Sequence, residues 1–96
     1  MMQERLDWHE SKRRANFLKH GVDFHEVAAF DWDNALVKID TRRDYGELRW
    51  IALGLIKRRL HVMVYSRRSD AIRLISLRKA NRREFLYYVS QIDPAD

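Results

Sequence analysis

The sequence predicts a single basic α+β domain, with helical segments at the amino end, an antiparallel sheet through the middle and a helix at the carboxy end. Three observations lead there. The stretch from Leu48 to Lys79 consists of three β-branched and aliphatic runs divided by charged turns, the pattern of a meander. Asp23-Phe24-His25-Glu26 and Asn81-Arg82-Arg83-Glu84 each have the spacing of a capping box, so a helix should start on either side of that meander. Finally, 96 residues with 46% hydrophobic content fit one core and leave no room for a second domain.

In chain order, Leu6 to His9 is expected to form a short edge strand. Glu10 to His20 are good helix formers, with Ala15, Phe17 and Leu18 as the apolar side. Gly21 tolerates the left-handed conformation that follows a last helical turn, and Lys19 and His20 suit the negative end of the helix dipole. The capping box at Asp23 should open a second helix, packed through Val22, Phe24, Val27, Ala28 and Phe30 and ended by Asp31-Trp32-Asp33-Asn34. The two helices would form a hairpin. Ala35 to Ile39 is a first meander strand, followed by a polar loop from Asp40 to Glu47 of the kind that often carries function.

In the sheet, Trp50, Ala52 and Gly54 oppose Arg49, Ile51, Leu53 and Leu55. Leu60, Val62 and Val64 oppose His61, Met63, Tyr65 and Arg67, and Ile72, Leu74, Ser76 and Arg78 oppose Arg73, Ile75 and Leu77. Both faces are substantially apolar, which predicts a sheet covered on both sides. A helical hairpin covers one. A last helix, with Phe85, Leu86, Tyr88, Val89 and Ile92 at helical spacing and a stop before Pro94, would cover the other or leave it for a partner.

Charge and composition narrow the function. Residues 1–48 hold eight Lys or Arg against ten Asp or Glu, whereas residues 49–96 hold eleven against four, so a net +7 belongs to the carboxy-terminal half. Clustered arginine attracts phosphate at long range, and Arg49, Arg67, Arg73 and Arg78 recur at strand ends and alternate positions. There is no cysteine, no carboxylate or histidine spacing that suits a metal, no Gly-rich phosphate loop and no base-and-nucleophile set for serine chemistry. No cofactor is expected. Nor is there a signal-peptide core or a run approaching the ~20 apolar residues of a membrane span, which leads to the expectation of a cytoplasmic protein without a membrane partner.

A chain-long series of residues resembles the BrnT family of bacterial type II toxins. It begins at Trp8 and runs through Lys12, Asn16, Lys19-His20-Gly21 and Phe24. It continues with Gly46-Glu47-x-Arg49-Trp50, Gly54 and Val64-Tyr65-x-Arg67, then Arg73-x-Ile75-Ser76-x-Arg78-Lys79-Ala80, Glu84 and Tyr88. Order and spacing over some 80 residues carry far more weight than any one motif. Four features depart from the pattern: His9 where Asp often caps the helix, Leu77 where a small residue is usual, Lys79 where Arg is common, and the basic turn Lys57-Arg58-Arg59 in place of one with glycine.

The resemblance implies a RelE-like fold with four or five strands, an endoribonuclease activity that needs no metal and inhibits translation, and a cognate antitoxin encoded nearby. The expected complex is a hetero-oligomer that reaches operator DNA only through the antitoxin. Arg49, Arg67, Arg73 and Arg78 would then bind the scissile phosphate, with His20 or Glu47 as the base, Tyr65 stacking on a nucleobase, and Lys19 and Lys79 binding RNA. The antitoxin would dock on Arg82, Arg83, Phe85, Tyr88, Val89 and Ile92. Two other readings share the charge pattern: a toxin that poisons a protein target without cleavage, and a corepressor acting with its antitoxin on operator DNA.

Overall fold

The computed structural model describes residues 5–92, which form a five-stranded sheet flanked by two α-helices. Four strands, β2 (Leu36–Ile39), β3 (Trp50–Ile56), β4 (Arg59–Arg68) and β5 (Ala71–Lys79), make the expected antiparallel meander. β1 (Arg5–Asp7) adds to the far side of β5 in parallel, giving the order β1-β5-β4-β3-β2. The β3–β4 turn places Lys57 at φ 58°, a left-handed conformation that glycine adopts without steric cost.

The helical hairpin is not formed as expected. α1 (Glu10–His20) is followed by a 3-10 segment, Phe24–Ala29, held by the capping box of Asp23 and Glu26. The buried residues Phe24, Val27 and Phe30 recur every three positions. That spacing stacks them on one side of a helix with three residues per turn, where an α-helix would rotate them apart. Together with Val22 they cover one face of the sheet, meeting Ala52, Ile56, Met63, Tyr65, Ile72, Leu74 and Leu77.

α1 also sits differently from its expected place. Phe17 is 50% and Leu18 87% exposed, because α1 lies beside the outer edge of β5 instead of on the sheet. β1 pairs only with residues 71–73 of that edge. Farther along, the buried amide of Asn16 replaces a strand: it donates to the Leu77 carbonyl at 2.8 Å and accepts from the Leu77 amide at 3.0 Å. Gly21 caps the helix at φ 72°, its N–H reaching the Phe17 carbonyl.

β5 carries a bulge. Val64 pairs with Ser76 and Tyr65 with Leu74, leaving Ile75 as the extra residue. The shift turns Leu77 to the same core face as Leu74, correcting the simple alternation that opposed them; both are fully buried. It also leaves Arg73, Ser76 and Arg78 together on the opposite face, since Arg73 pairs with Ser66 and Arg78 with Val62.

That opposite face is only partly covered. α2 (Arg82–Ile92) starts with the second predicted capping box, Asn81 and Glu84 exchanging hydrogen bonds at 2.8 Å. It is anchored by Tyr88, which packs with Leu60, Val62 and Ala80 and whose hydroxyl donates to the Asn34 carbonyl at 2.8 Å. Phe85, Leu86, Tyr87, Val89 and Ile92 remain exposed. Neither α-helix is long and apolar enough to cross a membrane.

Candidate functional site

Between α2 and the sheet runs an open groove of about 740 Å³. Its floor is apolar, from Ile51, Leu53, Val62 and Val64, and its rim is basic, from Lys38, Arg42, Arg78 and Arg83. Alternation along β3, β4 and β5 extends the same face to Arg49, Ser66 and Arg73 at one end.

Four of these arginines, Arg42, Arg49, Arg73 and Arg78, are held in place. Arg73 donates from Nε and Nη2 to one carboxylate oxygen of Asp7, at 3.0 and 2.7 Å, and its Nη1 lies 3.0 Å from His9 Nε2. The guanidinium beside it keeps Asp7 below the ordinary carboxylate range. Arg78 makes a bidentate pair with Glu84 at 2.9 and 2.8 Å, so the residue that caps α2 also ties it to β5. Arg49 lies over the Tyr45 ring at 4.1 Å and 3.5 Å from Glu47, whose other oxygen is 3.9 Å from Arg68. The loop supplying Tyr45 and Glu47 is pinned by buried Asp40, which accepts from Arg42 and from the Tyr45 hydroxyl. Among the described residues, two buried polar atoms have no hydrogen-bond partner: Arg49 Nε and Ser66 Oγ.

The expected residues therefore divide. Arg49, Glu47, Arg73 and Arg78 share the groove face, but they cannot all converge on one phosphate. Arg49 and Arg73 stand two strand spacings apart, roughly 10 Å, and Arg78 lies five residues beyond Arg73, roughly 15 Å at ordinary strand rise. They form a track. Arg67 and Lys79 fall by register on the other face, opposite Ile72 and His61. Tyr65 is also turned that way and only 2% exposed, stacked on Trp50 at 5.9 Å and edge-on to Trp32; with its ring in the core it cannot stack on a nucleobase.

His20 ends α1 near Arg78. Burial first, then Lys19 and Arg78, push its imidazole below the ordinary value, so it is neutral at pH 7. It belongs to the Arg78 end of the track and not to the Glu47 end. Lys19 is exposed beside it. Of the expected docking residues, Arg82, Arg83, Phe85, Val89 and Ile92 are accessible to differing degrees, but Tyr88 is 5% exposed and serves to fasten α2. His9 was assigned only a cap by its position. Its side chain makes no cap hydrogen bond and instead meets Arg73, 64 residues away, a contact that no local pattern announces.

A small α+β domain with a pinned row of arginines along an open sheet face presents a surface of the kind that suits a polyanion. The comparisons make that class specific. The chain belongs to the BrnT family, residues 8–84 matching the family described as the ribonuclease toxin BrnT of type II toxin–antitoxin systems. The crystal structure of the Brucella abortus ribonuclease toxin BrnT is similar, with 27% identity and a TM-score of 0.66, over 83% of this chain and all of that one. No curated protein sequence matches.

Proposed function

We propose that this ribonuclease toxin cleaves RNA by attack of a 2′-hydroxyl on the adjacent phosphate, without a metal, and so inhibits translation. The observation that carries the reading is the row Arg49–Ser66–Arg73, in which the Ser66 hydroxyl and Arg49 Nε are buried without a hydrogen bond. A phosphorane carries more negative charge than the diester it forms from, and preorganised donors stabilise the difference. Glu47 acts as base, since its carboxylate lies beside Arg49. Arg78, with His20 and Lys19, holds a neighbouring phosphate. The RelE-like character expected of the family is part of the same reading.

The antitoxin is neutralising in this account because it fills the groove. An apolar floor with a rim of Lys38, Arg42, Arg78 and Arg83 suits an acidic amphipathic segment, which would extend onto Phe85, Val89 and Ile92 and cover the arginine track. Repression of operator DNA would follow through the antitoxin.

The test is overproduction in bacteria of the wild type and of Arg49→Ala and Arg73→Ala. The wild type should halt growth and translation, and soluble, folded arginine variants should not. Unimpaired growth with soluble wild-type protein present would overturn the proposal.

A further inference from the structure

We propose that His9 is the general acid of the RNA-cleaving site, facing Glu47 across a phosphate slot formed by Arg49, Ser66 and Arg73. The proposal rests on the cleavage reading above and supplies the proton donor that it leaves open.

The slot follows from the register. Ser66 pairs with Arg73 on β5, and Arg49 leads into β3 on the other side of β4, so Ser66 lies between two arginines on one face. Ser66 is 2% exposed, and among the described residues neither its hydroxyl nor Arg49 Nε has a hydrogen-bond partner. A buried hydroxyl without a hydrogen-bond partner is unfavourable, and a phosphate oxygen between the arginines would satisfy it. The backbones of Arg49 and Arg73 stand two strand spacings apart, roughly 10 Å, a span that two long side chains can close on one phosphate.

The flanking groups stand on opposite sides of this slot. Glu47 is attached to Arg49, on the β3 side. His9 is attached to Arg73, on the β1 side, with Asp7 fixing the guanidinium between them. In-line displacement at phosphorus needs the base and the acid on opposite sides, and this arrangement provides one of each. Arginine has only donors, so in this contact His9 Nε2 accepts from Arg73 Nη1. A bound phosphate takes over Nη1 of Arg73 and adds negative charge beside Asp7. Loss of that contact frees His9 Nε2 to carry a proton toward the leaving oxygen.

The step balances. Glu47 takes the proton of the 2′-hydroxyl, the 2′-oxygen bonds to phosphorus, the bond to the 5′-oxygen breaks, and His9 gives that oxygen its proton. The products are a 2′,3′-cyclic phosphate and a 5′-hydroxyl, and both side chains recover their resting state by proton exchange with water.

The experiment compares wild type, His9→Ala and His9→Asn on a short RNA and on a nucleoside 3′-phosphate ester of p-nitrophenol, whose leaving group needs no proton. Asn suits a helix N-cap, so His9→Asn retains the fold if His9→Ala does not. On RNA both variants should lose about 100-fold or more in kcat and the limb of the pH profile at high pH; on the activated ester they should lose less than about threefold. Equal losses on the two substrates, or a wild-type rate and pH profile on RNA, would overturn the assignment of His9. Wild-type protein that cleaves neither substrate would instead overturn the cleavage reading itself.

Discussion

Replacing Gly54 by Ala should destabilise the protein by about 3 kcal/mol, the upper end of the range for overpacked cores. A Cβ built on Gly54 stands 2.3 Å from Phe30 Cζ and 2.8 and 2.9 Å from the two Cε atoms. Carbon atoms pack at about 3.5–4.0 Å, so the ring must withdraw by more than 1 Å. It has little freedom to do so. Phe30 is 6% exposed, its ring lies against Trp32 at 4.8 Å, its backbone bridges to Ile56, and the next amide, Asp31, donates to the Leu55 carbonyl at 2.9 Å. At about 4–8 °C per kcal/mol for a domain of this size, the melting temperature should fall by at least about 12 °C. Thermal unfolding of Gly54→Ala, Phe30→Leu and the double variant measures the effect. Because Leu shortens the clashing ring, the double variant should be more stable than the sum of the single losses predicts, by about 1 kcal/mol or more. A melting temperature within about 3 °C of wild type for Gly54→Ala, or strict additivity, would refute the reasoning.

Lys57 holds a left-handed conformation that costs a side chain about 1–2 kcal/mol, so Lys57→Gly should raise the melting temperature by a few degrees despite the added freedom of the unfolded chain. Burial lowers the imidazoles of His61 and His20 below their ordinary value of 6.5, which means that the unfolded chain takes up protons first as the pH falls. Their contribution is present above pH 6.5 and lost as the pH falls below it, so denaturant midpoints should drop as the pH falls below about 6.5, and His61→Asn should flatten the curve. RNA affinity should fall with salt with a logarithmic slope of about −2 for three phosphate contacts, and Arg73→Ala should reduce that slope by about 0.7. The triple variant Phe85→Ala, Val89→Ala, Ile92→Ala should keep toxicity but bind the antitoxin more weakly in calorimetry, whereas unchanged affinity would place the interface elsewhere.

Much of this was legible from local pattern. Both capping boxes, the Gly21 cap and the meander follow from spacing alone, because each is decided within a few residues. The misreadings arise where a distant partner decides. Leu77 turns inward because of a bulge whose only sign in the sequence is an apolar Ile75 out of phase. Phe17 and Leu18 face solvent because α1 is fastened by Asn16, a polar residue, to the backbone of a strand 61 residues away. The resemblance implied that Tyr65 stacks on a nucleobase, yet Trp32 and Trp50 enclose it. At the site, sequence alone marked the arginines but not their division between two faces, which depends on register. His9 at Arg73 depends on a parallel pairing of β1 with β5 that hydrophobic alternation does not encode.

The most direct measurement of the central claim is the chemistry of the ends left on RNA by the purified protein in the presence of a chelator. Attack by the 2′-hydroxyl in a slot of arginines predicts fragments with 2′,3′-cyclic phosphate and 5′-hydroxyl ends, produced by wild type and lost in Arg73→Ala. Intact RNA under these conditions, or fragments carrying 5′-phosphates, would contradict it.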